Sequence, residues 1–163
     1  MKRLLPLLLI SLVGATPTAS TKPESPVRWA IASGSGRTVV PGQTVVVVLE
    51  AEIEKGWYIY SQTQKPGGPH PLRIQLTDAA DVSFREGVRA PRPVTKFDRT
   101  FGIETELHFG TPKFIVPIGV PAGSLPGKRE FQVAARYQAC NNTICLSPRT
   151  TKLDLTLNIK DAG

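Results

Sequence analysis

Glu130-Phe131-Gln132-Val133-Ala134-Ala135-Arg136-Tyr137-Gln138-Ala139-Cys140 is the stretch that decides the fold class. Phe131, Val133, Ala135, Tyr137 and Ala139 fall on one side of an extended chain. Gln132, Ala134, Arg136, Gln138 and Cys140 fall on the other, which is the two-residue period of a half-buried strand. Downstream, Leu153, Leu155, Leu157 and Ile159 repeat the pattern against Lys152, Asp154, Thr156 and Asn158. The first set of each strand is expected to face a common core.

Between these strands lie the only two cysteines of the chain, Cys140 and Cys145, separated by Asn141-Asn142-Thr143-Ile144. Asn tolerates positive φ, so a tight turn over Asn142-Thr143 is expected there. Such a turn pairs Asn141 with Ile144 and sets Cys140 opposite Cys145, at a Cα separation of roughly 4.5–5.5 Å that a disulfide can bridge. Continued further, the same register would oppose Val133 to Lys152 and spoil the shared apolar face. One residue must therefore be absorbed. Pro148 cannot donate to a ladder, so a bulge or break is expected around residues 146–149.

Outward from this hairpin the period stays mostly at two. Strands are predicted over residues 27–32, 44–54, 57–62, 72–77, 105–109, 114–120, 130–140 and 150–159, punctuated by Pro41-Gly42, Lys55-Gly56, Pro66-Gly67-Gly68-Pro69 and Pro126-Gly127. With 14 glycines and 15 prolines in 163 residues, the chain has too many breakers for a helical bundle. Short strands at this spacing predict an all-β, immunoglobulin-like antiparallel β-sandwich in one domain.

Lys2 and Arg3 precede an apolar run over residues 4–13 and then small residues, which reads as a secretory signal cleaved near residue 15 or 20. Residues 21–26 form a polar leader, 27–159 the sandwich and 160–163 a tail. The formal charge of +7 is dispersed, with no basic run and no aromatic-interleaved basic strand, so nucleic-acid binding is not expected. No later segment reaches the ~20 apolar residues of a membrane span, and a soluble exported monomer is expected.

The residues alone leave three readings of the cysteine pair open. A structural disulfide is usual in an exported protein. Its benefit here would be small, since a six-residue loop is worth only about 2 kcal/mol in the chain-entropy model. An exchanging disulfide suits an exposed hairpin tip. A metal site would recruit His70 or His108 beside the thiolates, but no Cys/His spacing matches a recognised site, and no metal or other cofactor is expected. No serine–histidine–acid arrangement or phosphate-cradling glycine loop is present. In the aromatic strand, Trp57 and Ile59 share one face and Tyr58 and Tyr60 the other, so only one pair can fill the core.

Three stretches resemble one known family. Glu54-Lys55-Gly56-Trp57-Tyr58-Ile59-Tyr60-Ser61 looks like its glycine–aromatic strand. Phe97-Asp98-Arg99-Thr100-Phe101-Gly102 looks like its cap loop. Arg136-Tyr137-Gln138-Ala139-Cys140, followed by Cys145-Leu146-Ser147-Pro148, looks like its redox hairpin. The family is the N-terminal periplasmic domain of the thiol:disulfide interchange protein DsbD, also called the disulfide bond corrector domain, here read as a stand-alone exported domain. The resemblance spans about residues 27–159 and implies an immunoglobulin-like sandwich that relays electrons from a thioredoxin-like donor to exported oxidoreductases. It makes Cys145 the interchanging thiol and Cys140 the resolving one. The shielding role of the cap falls to Phe101, with Phe97 beside it, and Tyr58 and Tyr60 move toward the redox site. Against this stands a binding module of the same fold, docking on another exported protein and carrying an inert hairpin disulfide.

Overall fold

A computed structural model describes residues 25–99 and 101–161. The expected signal segment, most of the polar leader, position 100 of the cap motif and the last two residues of the tail lie outside the described residues. Twelve strands follow one another: β1 (Val27–Ser33), β2 (Arg37–Val39), β3 (Thr44–Ile53), β4 (Tyr58–Tyr60), β5 (Arg73–Thr77), β6 (Ser83–Phe84), β7 (Val94–Asp98), β8 (Ile103–His108), β9 (Lys113–Gly119), β10 (Gly127–Tyr137), β11 (Ala139–Cys140) and β12 (Arg149–Ile159). No helix occurs among the described residues, so none is long and apolar enough to cross a membrane.

The strands form three four-stranded sheets, in the orders β1-β3-β9-β6, β2-β12-β10-β5 and β11-β4-β8-β7. The first two pack face to face as an immunoglobulin-like sandwich, because each supplies an alternating apolar face. Val47, Leu49 and Phe114 come from one, and Phe131, Val133 and Leu157 from the other, all in a single buried cluster. Each such side chain contributes about 1.5–3 kcal/mol on leaving water. Trp29 joins the two sheets, with its ring 5.4 Å from Phe114 and 5.8 Å from Tyr137. Pairing is antiparallel throughout except where β2 runs parallel to β12.

Eight strands were expected and twelve are present among the described residues. The short β2 and β6 carry too few residues to show a period, and β7 has no buried residue to mark one. The most consequential difference lies in the stretch 130–140, which is two strands in two sheets. The long ladder sets Phe131 opposite Leu155 and Val133 opposite Leu153, so the apolar faces coincide as the alternation requires. The tip sets Cys140 opposite Cys145, one residue out of that register. The break expected around residues 146–149 absorbs the difference, with Gln138 on one side facing Ser147 and Pro148 on the other. Gln138 satisfies the interrupted backbone there: its Nε2 donates to the Leu146 carbonyl at 3.1 Å, and its Oε1 accepts from the His70 N–H at 3.2 Å. Beyond the break the chain leaves the sandwich ladder and pairs with β4, as Ala139 opposite Ile59 and Cys140 opposite Tyr58.

Candidate redox site

The tip of the hairpin is built from local hydrogen bonds. The Asn141 N–H donates to the Ile144 carbonyl and the Leu146 N–H to the Ala139 carbonyl, both at 2.9 Å. Cys140 and Cys145 between them are therefore a non-hydrogen-bonded antiparallel pair, the kind in which side chains approach most closely. Their Cα atoms are 4.1 Å apart, a little nearer than expected, and the two sulfurs form a disulfide. The expected basis of the turn needs correction. Neither Asn142 nor Thr143 adopts positive φ, since Asp78 is the only non-glycine residue that does so among the described residues. The turn is held instead by the Asn141 side chain, whose Oδ1 accepts from the N–H groups of Thr143 and Ile144, both at 2.8 Å.

The two sulfurs occupy different environments. Cys140 is 0% exposed and packs with Tyr60 and Leu107 in a small cluster, separate from the main core. Cys145 is exposed. The cause is the sheet period: β4 sends Ile59 into the main core and turns Tyr58 and Tyr60 to the opposite face, where β8 adds Leu107. Trp57 packs against the main core, so the pair that fills it is Trp57 and Ile59.

Tyr58 and Tyr60 meet edge to face with centroids 5.7 Å apart. The Tyr58 hydroxyl donates to the Asn141 carbonyl at 3.1 Å, tying the aromatic strand to the turn. The Tyr60 hydroxyl lies 3.9 Å from Cys145 Sγ. Burial above all, followed by the adjoining Tyr58 phenol and then the Asp98 carboxylate, pushes the Tyr60 hydroxyl well above the usual phenol range. It stays protonated and is able to donate a hydrogen bond to sulfur.

A cleft of about 570 Å³ separates the hairpin tip from the turn joining β7 to β8, with Cys145, Ile144 and Tyr60 on one side and Phe97 and Phe101 on the other. Phe97 is 59% and Phe101 39% exposed. Both residues line the cleft, and Cys145 remains exposed. The turn itself is pinned by Asp98, whose Oδ1 accepts from the Phe101 N–H at 3.3 Å and whose carbonyl accepts from Gly102 N–H at 2.8 Å.

Neither histidine lines this cleft. His108 alternates to the core side of β8, edge-on to Phe114 at 5.5 Å, where burial lowers its pKa against the opposing influence of Glu106. His70 is exposed. The sequence reading missed Leu107, which backs the buried sulfur, and Phe109, whose ring lies 5.6 Å from Tyr58. The alternation Thr105, Leu107, Phe109 is the signal that could have found them, since it marks one face of β8 and its continuation.

No curated protein matches the chain. Among solved structures, the chain is similar to the Neisseria meningitidis DsbD N-terminal domain in the reduced form, at 19% identity over 81% of this chain and 85% of that one, with a TM-score of 0.52. It is also similar to the N-terminal periplasmic domain of ScsB from Proteus mirabilis, at 19% identity over 81% of this chain and 45% of that one, with a TM-score of 0.47. At 19% identity the likeness to the Neisseria domain is one of fold. The family model described as thiol:disulfide interchange protein DsbD, N-terminal, matches residues 32–157, a span that takes in the aromatic strand, the cap turn and both cysteines. With most of its length matched, the chain belongs to the DsbD N-terminal domain family.

Proposed function

We propose that this domain is an exported, periplasmic thiol–disulfide exchange protein that relays electron pairs between a thioredoxin-like donor and exported oxidoreductases through Cys140 and Cys145. The observation that carries the reading is the unequal burial of the two sulfurs, Cys140 enclosed and Cys145 at the mouth of a cleft. An incoming thiolate must reach a sulfur in line with the S–S bond, and only Cys145 offers access. A staple intended for stability alone would gain more by closing a longer loop.

In the reducing direction, a partner thiolate attacks Cys145 Sγ and the Cys140–Cys145 bond breaks. Its electron pair leaves on Cys140 Sγ, which takes a proton. The partner's second thiolate then attacks its own sulfur in the mixed disulfide and releases Cys145. The partner ends oxidised by two electrons and this domain reduced by two. The reverse sequence starts from the Cys145 thiolate, with Cys140 resolving the intermediate. Tyr60 is placed to hydrogen-bond the Cys145 thiolate. Phe101, with Phe97 beside it, acts as the cap that shields the pair of sulfurs. No cofactor takes part.

The experiment is reduction of the oxidised domain by reduced thioredoxin-fold proteins of the same compartment, following thiols by mass. One of them should reduce it within seconds to minutes while glutathione acts slowly. Cys140→Ala should accumulate a mixed disulfide with that protein, and Cys145→Ala should not. If no thioredoxin-fold protein outpaces glutathione, the inert binding module becomes the better reading. Equal trapping by both variants would remove the roles given to the two cysteines.

A further inference from the structure

The hairpin of β7 and β8 sorts its charges by face. Lys96 pairs with Thr105 and Val94 with Leu107, and because Thr105 and Leu107 line the cleft, the Lys96 position lies on the same side. Glu104 and Glu106 pair with Phe97 and Thr95 and so alternate to the far face. Glu106 is also engaged there, its carboxylate accepting from the Thr63 hydroxyl and its N–H donating to Gln64 Oε1 at 2.8 Å. Arg99, in the turn, lines the cleft as well. From the other wall, residues 141–144 bring no charge. The charged groups around Cys145 are therefore two exposed cations, Lys96 and Arg99, and one carboxylate, Asp98, which is occupied with the backbone of its own turn.

The same cleft concentrates exposed apolar surface. Phe101 and Ile144, which line it, are 39% and 51% exposed, and the Phe109 ring lies 5.6 Å from that of Tyr58. Exposed rings and aliphatic side chains gathered around one reactive sulfur mark a docking surface. A rim whose charges sum to a net positive then selects which partner arrives fastest.

We infer that the partner face that reaches Cys145 is apolar where it meets Phe101 and Ile144 and carries carboxylates where it meets Lys96 and Arg99. The inference rests on the exchange reading and adds to it the chemistry of the partner. Two unit charges about 7–10 Å apart in water change an encounter about two- to three-fold each, so the pair of cations should be worth about five-fold at low salt.

The test uses two synthetic peptides, each with one central cysteine, flanked in one by four aspartates and in the other by four lysines. Two peptide thiols reduce the domain: the first thiolate attacks Cys145 Sγ and expels Cys140, and a second attacks the mixed disulfide to give the oxidised peptide dimer. Rates are measured for the native domain and for Lys96→Gln/Arg99→Gln, and each peptide's native-to-variant ratio removes its own intrinsic thiol reactivity. The acidic peptide should lose about five-fold in the variant while the basic peptide is unchanged or faster. The difference should vanish at 1 M salt, where the Debye length is about 3 Å. Lys96→Glu/Arg99→Glu should reverse the preference. Equal ratios for the two peptides, or a difference that survives high salt, would overturn the inference while leaving exchange intact. If neither peptide reduces the native domain, the exchange reading falls and this inference with it.

Discussion

The main core and the cluster beneath the hairpin tip are made by the same alternation but differ in how they are closed. Between the first two sheets, apolar faces meet on both sides, and Val47, Leu49, Phe114 and Leu157 are fully enclosed. Under the tip, Tyr60, Leu107 and Cys140 have a packed face beneath them and a cleft above. A two-walled core holds the fold, whereas a one-walled cluster holds one sulfur still and leaves its partner reachable. On the proposed reading, stability and reactivity belong to different sheets, and exchange should be alterable at the third sheet without unfolding the sandwich.

That separation can be broken most directly at the sulfurs. Cys145→Ala should abolish exchange completely, read as loss of any thiol-dependent mass change. The fold should lose only about 2 kcal/mol in denaturant unfolding, the value of a six-residue loop. A much larger loss would make the hairpin part of the structural core. Leu157→Ala, in the sandwich, should cost about 2–5 kcal/mol. The reduction rate of the folded protein should stay within about two-fold of the native one, and a large change in that rate would couple the two regions.

Phe101→Ala sharpens the contrast from the other side. Its ring is partly exposed, so stability should change by less than about 1 kcal/mol. Reduction by small thiols should accelerate several-fold, as measured by stopped-flow quenching or mass. An unchanged rate with a collapsed fold would make Phe101 a core residue. The smallest effect is expected at His108, which belongs to the core side of the strand that carries Leu107 on its other face. Its folded pKa lies below that of the unfolded chain, so the unfolded state binds more protons as pH falls through the ordinary histidine range. His108 therefore supports stability above about pH 6.5 and progressively less below it. His108→Gln should flatten the fall in melting temperature between pH 7 and 5 relative to the native domain. An identical pH profile would remove the histidine from that account.

Much of this was legible in the residues because its causes are local. The alternation from Phe131 to Ala139 follows from backbone geometry alone, as does the opposition of Trp57 and Ile59 to Tyr58 and Tyr60. The pairing of Cys140 with Cys145 needs only a two-residue turn, and the slip at Gln138 was required by two local registers that could not both continue. The Asn141 side chain took over the turn that positive φ was expected to make, a choice between two local solutions that composition does not distinguish.

Which sheet a strand joins depended on hydrogen-bond partners far along the chain. The split of residues 130–140 between two sheets therefore appeared only in the folded molecule, as did the edge strand β7. The same holds for the environments of the sulfurs: two cysteines five positions apart are equivalent in a sequence. Burial by Tyr60 and Leu107, 80 and 33 residues away, encloses Cys140, while the cleft facing the β7–β8 turn exposes Cys145. The sequence by itself determined the alternating faces, the hairpin and the opposition of its two cysteines, because these depend on neighbouring φ, ψ and side-chain period. Only the tertiary structure decided which sulfur is reachable and which charges surround it, because exposure and proximity are set by packing between segments that the chain order keeps apart.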